Sequence, residues 1–298
     1  MSYPRRVISR ILRRLPFSRQ WHAGSKPKVP ETSEGRELYK QVAAVPFWFH
    51  SIDLGNGVFT PGTKTPEHHK RELASLRLPD LEGKSVIDIG AWDGFYSFTA
   101  ERLGAARVVA LDSHVWALDQ EAKNRYKADC RKKGVPQQHP AYIPELWCFD
   151  KLPGKRGFDL VHSALHSQVE SVFGDITKMD PGSLGTFDVV LFLGVLYHME
   201  NPLQSLRFVR QLTKKLAVIE TEAVAVAGYD DRPFCEFFPA KAKLMDDPTN
   251  FWAPNAAAVV GLCETAGFSK VELLTPIPSP KRRQIKRYRL VAQAFVNS

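Results

Sequence analysis

The residues best suited to chemistry lie in one short run, Val86-Ile87-Asp88-Ile89-Gly90-Ala91-Trp92-Asp93-Gly94. An apolar stretch of strand length ends in Asp-x-Gly-x-x-x-Gly and leads into a segment, 94–103, that reads as a helix. Glycine at such a turn lets a ligand approach the backbone where a Cβ would clash. The helix that follows offers free N–H groups at its start. In an open α/β sheet, ligands bind at the carboxyl ends of the strands. Further acids stand at equivalent places: Asp112 closes the run Arg107-Val108-Val109-Ala110-Leu111, with Ser113 behind it, and Asp175 follows Val172-Phe173-Gly174.

The neighbours of these glycines select the ligand. A dinucleotide fingerprint reads G-x-G-x-x-G and cradles a pyrophosphate. Here Gly90 and Gly94 are four apart, with Asp93 between them and Asp88 just ahead. Two carboxylates repel a pyrophosphate but suit the ammonium and sulfonium of S-adenosylmethionine. The expected cofactor set is Asp88, Gly90, Ala91, Trp92, Asp93 and Gly94 around the methionine end, and Asp112 with Ser113 at the ribose diol. Gly174 and Asp175 belong at the adenine amino group, and Leu193 and Gly194 at the tip of a fourth strand complete the set.

Methyl transfer is an in-line displacement at a carbon already activated by the sulfonium. The enzyme has to align the nucleophile, exclude water and, for a hydroxyl acceptor, remove a proton. Tyr197 and His198 follow the fourth strand. His198 is the natural base, because an imidazole titrates near neutrality; Tyr197 could donate a hydrogen bond or line the acceptor pocket. Glu220 and Glu222, alternating at the end of a fifth strand, are candidates for a second base or an anchor for substrate hydroxyls. Arg287 or Arg289 could face an anionic group of the substrate. An aromatic segment, 223–254, falls at the carboxyl edge of the sheet and reads as the acceptor-pocket wall, with the loop 47–62 closing from the other side. No metal site is expected: the histidines lack H-E-x-x-H spacing, and His162 and His166, taken as i and i+4 on one helix, have no carboxylate beside them. The four cysteines form no C-x-x-C pair.

The elements that must position these residues alternate. Strands are expected at 85–90, 107–112, 169–173, 187–195, 216–219, 271–274 and 290–295, and helices at 37–44, 67–78, 94–103, 158–166, 202–212 and 255–266. That order predicts an α/β fold, a Rossmann-like doubly wound sheet. The chain divides into a basic arm (1–35), an extension or lid (36–83) and a cofactor-binding domain (84–298) carrying insertions at 113–157 and 223–254.

The net charge is +9, and its distribution is uneven. Eight basic residues and no acid lie within 1–30, and six more lie within 281–289, which leaves the body mildly acidic. The arm spaces Val7, Ile8, Ile11, Leu12 and Leu15 between arginines, a pattern suited to peripheral contact with an anionic membrane or with RNA phosphates. No apolar run reaches the ~20 residues that span a bilayer, and no secretory signal is recognisable, so a cytoplasmic protein is expected.

The turn VIDIGAWDG, then VVALD, VFGDI and FDVVLFLGVLYHMENPL, resemble in order the class I S-adenosylmethionine-dependent methyltransferases. FLGVLYHMENPL followed by AVIETEAV is similar to the tRNA wobble-uridine (5-oxyacetic acid) methyltransferase-like group and its relatives. The resemblance implies seven strands with the last antiparallel. In that group a lysine flanked by tryptophans holds the carboxylate of carboxy-S-adenosylmethionine; here the corresponding helix reads Pro66-Glu67-His68-His69-Lys70-Arg71-Glu72. That difference and the long 113–157 insertion favour an ordinary methyl group and a small hydroxylated acceptor, a saccharide or secondary metabolite. A tRNA substrate is the alternative. A non-catalytic S-adenosylmethionine-binding module is a third, against which Tyr197 and His198 speak.

Overall fold

The computed structural model describes residues 29–229, 231–239, 244, 247–281 and 284–297. Most of the basic arm, with Lys243, Arg282 and Arg283, lies outside the described residues. In chain order the elements are α1 (Ser33–Ala43), α2 (Pro66–Leu76), β1 (Ser85–Ile89), α3 (Phe95–Arg102), β2 (Arg107–Asp112), α4 (His114–Ala117) and α5 (Gln120–Lys133). There follow α6 (Arg156–Ala164), β3 (Glu170–Phe173), β4 (Phe187–Leu193), α7 (Pro202–Leu212), β5 (Thr213–Val226), β6 (Cys235–Phe237), β7 (Trp252–Pro254), α8 (Ala256–Ala266), β8 (Lys270–Leu273) and β9 (Ile285–Phe295).

Seven strands form one sheet in the order β3-β2-β1-β4-β5-β9-β8. The five from β3 to β5 run parallel, and β9 lies antiparallel between β5 and β8. This is the expected Rossmann-like sheet with its last strand reversed. The chain lays strands outward on one side of β1 and then returns to its other side with β4, so the connections leaving β1 and β4 diverge to opposite faces. A crevice opens at that switch in strand order.

Both faces of the sheet are covered, which is why its strands are apolar at consecutive positions. Val86, Val108, Ala110, Leu191 and Val218 face one way, into a core with Trp48, Phe98, Trp116 and Phe158. Ile87, Ile89, Val109, Leu111, Val190, Phe192 and Ile219 face the other way, against Leu206, Val209 and Leu212 of α7 and Val259 and Cys263 of α8.

Three expectations change. The fifth strand extends to Val226, because residues beyond Ile219 pair in register with Val291 back to Ile285. The 113–157 insertion contains α5, a helix with Asp119 as N-cap, a left-handed Gly134 as C-cap and only Cys130 buried; a helix polar on nearly every face carries no apolar periodicity to read. His166 lies beyond α6 with φ +50°, so it does not share a helical face with His162, whose Nε2 is 3.1 Å from the Val169 carbonyl. Among the described residues no helix is long and apolar enough to cross a membrane.

The extension is tied to β9, the strand next to the β8 edge of the sheet. Gln293, buried on β9, donates from Nε2 to the carbonyls of Leu76 (3.0 Å) and Arg77 (2.8 Å) at the end of α2. Gln293→Ala removes both donors and should cost about 1–3 kcal/mol. A denaturant titration would read this as a lower midpoint with an unchanged slope.

Candidate active site

The turn after β1 is built for close approach. Gly90 has φ +82° and donates from its N–H to the Leu111 carbonyl at 2.8 Å. Gly94 begins α3 at φ +86°, where an added Cβ would overlap the Phe98 ring and come within 2.8 Å of Phe158. Trp92, between them, also has positive φ, at +50°. It is held there by its N–H to Asp112 Oδ2 at 3.0 Å and by Trp116 Nε1 donating to its carbonyl at 2.7 Å. Its indole stacks on Phe49, with centroids 4.3 Å apart and planes 2° from parallel. Ala91 is buried under this turn.

The acids divide into two kinds. Asp88 is 2% exposed and accepts from the Ser97 hydroxyl at 2.7 Å; burial pushes its pKa up to about 6. Asp112 is similarly buried, accepts from the Trp92 and Val115 amides, and is also raised by burial to about 6. Neither has an ion-pair partner among the described residues. Asp93 differs. Its carboxylate receives the amides of Phe49 (3.0 Å) and His50 (2.8 Å) and pairs with the His50 ring. The expected pair, Asp88 with Asp93 around one cation, is therefore separated: Asp93 anchors the 47–62 loop. Asp175 likewise turns to its own loop, accepting from the Thr177 amide and hydroxyl and pairing with Lys178 at 3.2 Å. Gly174 donates to the Asp112 carbonyl at 3.1 Å, which holds the β3 tip against β2. Ser113 is half-buried at the start of α4.

The β4 tip joins this crevice to the expected catalytic residues. Leu193 is half-buried, and Gly194, at φ +74°, donates to the Glu220 carbonyl at 2.9 Å. A Cβ on Gly194 would stand 3.5 Å from the Arg289 guanidinium. Arg289 forms a two-pronged ion pair with Glu220, lies 3.5 Å from Glu222 and sits over the Tyr197 ring at 4.8 Å. The Tyr197 and His198 rings are 4.1 Å apart. Tyr197, His198, Glu220 and Glu222 are thus brought into one cluster with Arg289 at its centre. Burial raises the Tyr197 phenol and keeps it a donor; burial also raises Glu222, against the pull of Arg289. Burial lowers His198 and holds the imidazole neutral.

The sequence reading missed the partners of His198. Its Nδ1 meets the Thr249 carbonyl at 2.8 Å and the Thr249 hydroxyl at 3.0 Å. The Phe251 amide donates to the Tyr197 carbonyl at 2.9 Å, so the 223–254 segment is tied directly to the turn that carries Tyr197 and His198. No periodic signal marks these residues; only the turn-forming Asp247-Pro248-Thr249-Asn250 draws attention to them.

A glycine turn at the sheet's switch point is where open α/β sheets bind their ligands. A family model described as a methyltransferase domain matches residues 64–273, and the chain belongs to that family. The chain therefore carries a methyltransferase domain. Among curated relatives, it is 26% identical over 217 residues to the tRNA U34 carboxymethyltransferase of Desulfotalea psychrophila, covering 72% of this chain and 54% of that protein. It is 28% identical to the Helicobacter pylori (strain Shi470) protein of the same name, covering 72% of this chain and 67% of that one. The chain thus spans about half to two-thirds of the length of these relatives. Among solved structures, the N-terminal domain of EvdMO1, crystallised in the presence of SAH and D-fucose, has a TM-score of 0.52 at 17% identity, covering 88% of this chain and 97% of that one.

The crevice fits the cofactor of this class. Two buried carboxylates have no ion-pair partner among the described residues, and two left-handed glycines clear the strand tips. A pKa raised by burial means that protonation of Asp88 and Asp112 stabilises the ligand-free fold below the ordinary carboxylate range, and that this contribution is lost as pH rises through about 6. A cationic ligand reverses the balance. S-adenosylmethionine should therefore raise the melting temperature more at pH 7.5 than at pH 5, and its binding near pH 6 should release protons, measurable by calorimetry in buffers of different ionisation heat.

Proposed function

We propose that this enzyme transfers an ordinary methyl group to a hydroxyl or amine of a small hydroxylated acceptor, a saccharide or secondary metabolite. The observation that carries this reading is the state of two cations, Arg289 beside the β4 tip and Lys64 in the extension. Arg289 is neutralised by Glu220 and Glu222, and Lys64 in the extension is paired with Glu72 at 2.7 Å. A donor bearing an extra carboxylate needs a free cation; around Arg289 two carboxylates face one guanidinium, and the local charge is negative.

In this mechanism Asp88, Gly90, Ala91, Trp92 and Gly94 hold the methionine end of the cofactor. Asp112 and Ser113 take the ribose, and Gly174 and Asp175 border the adenine, with Leu193 and Gly194 beneath. Asp93 acts through the loop it anchors. The cofactor supplies an electrophilic methyl group on a sulfonium. His198, neutral because it is buried, accepts the acceptor's proton at Nε2. Tyr197 donates a hydrogen bond from its phenol, and Glu222 accepts one from a neighbouring substrate hydroxyl. The aromatic insertion excludes water from the reacting atoms.

A second reading, tRNA wobble-uridine modification, is favoured by the names of the curated relatives. Incubation with labelled S-adenosylmethionine or carboxy-S-adenosylmethionine, each with bulk tRNA or a small-molecule extract, separates the two. The first reading expects label from the ordinary donor in small molecules, and label in tRNA would overturn it.

His198→Gln should lower kcat by about 10²–10⁴-fold, with cofactor affinity unchanged. The lowered pKa of His198 should leave the acid limb of the wild-type kcat profile below the ordinary imidazole value of about 6.5; a limb above that value would point to another base.

A further inference from the structure

His198 is reached from the insertion by a second contact beyond the Thr249 carbonyl. The Thr249 hydroxyl is 3.0 Å from His198 Nδ1 and 2.7 Å from Asp247 Oδ1. The same carboxylate oxygen accepts the Thr249 amide at 2.9 Å, closing a tight turn that fixes the side chain. Asn250, buried, donates to the Leu244 carbonyl at 2.8 Å and holds the turn from behind.

The proton directions in this chain are dictated by chemistry. A carbonyl oxygen only accepts, so the 2.8 Å contact between Nδ1 and the Thr249 carbonyl requires the proton on Nδ1. An ionised carboxylate only accepts, so the Thr249 hydroxyl directs its hydrogen to Asp247. The hydroxyl's lone pair is left facing Nδ1–H. Nε2 is then the unprotonated nitrogen, and it has no hydrogen-bond partner among the described residues.

We propose that Thr249 and Asp247 form a relay that positions His198: Asp247 orients the Thr249 hydroxyl, the hydroxyl and carbonyl together hold the Nδ1–H tautomer, and the negative charge of Asp247 stabilises the imidazolium formed when Nε2 takes the acceptor's proton. This rests on the reading of His198 as the base. The relay matches the division of labour in hydrolytic triads, where a carboxylate orients the imidazole and does not itself take the proton; here a threonine stands between the two. The other charged or titratable groups facing His198 are Arg289 from β9, Lys123 from α5, His114 from α4 and its neighbour Tyr197. Arg289 and Lys123 oppose the imidazolium, and Asp247 is the carboxylate that favours it.

The test uses the full chain labelled with ¹⁵N-histidine. NMR over about pH 4–8 reports the tautomer and pKa of each ring, and His198→Gln assigns the signal. The expected result is a neutral Nδ1–H ring for His198. Asp247→Asn should lower its pKa by about half a unit or more, and Thr249→Val should shrink that Asp247→Asn shift to less than half, whereas Thr249→Ser should preserve it. A neutral Nε2–H ring in the wild type, which needs no variant to fold, overturns the relay. So does an Asp247→Asn shift that is the same with valine or threonine at 249, since it would come from charge through space alone. Incorporation of labelled methyl from S-adenosylmethionine into a cell extract tests the base separately. If His198→Gln keeps wild-type incorporation, the base assignment falls and the proposal falls with it, whatever tautomer is seen.

Discussion

A carboxylate buried without a cation is costly, and this fold keeps two of them at one place. Asp88 and Asp112 close adjacent parallel strands where the strand order switches, and each is supplied with hydrogen-bond donors but, among the described residues, with no ion-pair partner. Much of the surrounding structure serves that arrangement. The glycine turn clears space above the strand tips. Trp92 is forced into a left-handed conformation so that its amide reaches Asp112, and Trp116 and Phe49 hold it there. The deficit of positive charge is what a sulfonium-bearing ligand would make good.

The charged cluster around Arg289, proposed to face the acceptor, follows the opposite principle. Its charges are matched within the protein: Arg289 between Glu220 and Glu222, Arg287 with Glu236, Lys64 with Glu72. A crevice that is short of cations beside a surface whose cations are engaged separates the tasks of the two halves. In the proposed reading one half binds a charged donor, and the other orients hydroxyls and moves one proton; the 223–254 segment reaches that second half through hydrogen bonds to His198 and Tyr197.

The sheet was legible in the sequence because strands buried on both faces are continuous apolar runs, and their carboxyl-end acids, Asp88 and Asp112, stand where those runs stop. What escaped was set by contacts between distant segments. His50 claims Asp93 from 43 residues away, and Thr249 meets His198 across 51; neither pairing has a local signature. The α5 helix escaped because it is polar on nearly all sides. Glu220, Glu222 and Arg289 were each visible as alternating charges, yet their mutual neutralisation depends on the antiparallel register of β9 against β5, which composition does not encode.

If the crevice at the β1 and β2 tips takes a positively charged sulfur nucleoside, equilibrium dialysis will show it, with radiolabelled S-adenosylmethionine and with radiolabelled NAD, on the wild type and on Asp112→Ala. The expected result is saturable uptake of one S-adenosylmethionine per chain, strongly weakened by Asp112→Ala, and no uptake of NAD. Uptake of NAD without S-adenosylmethionine, or S-adenosylmethionine binding indifferent to Asp112→Ala, would rule such a site out.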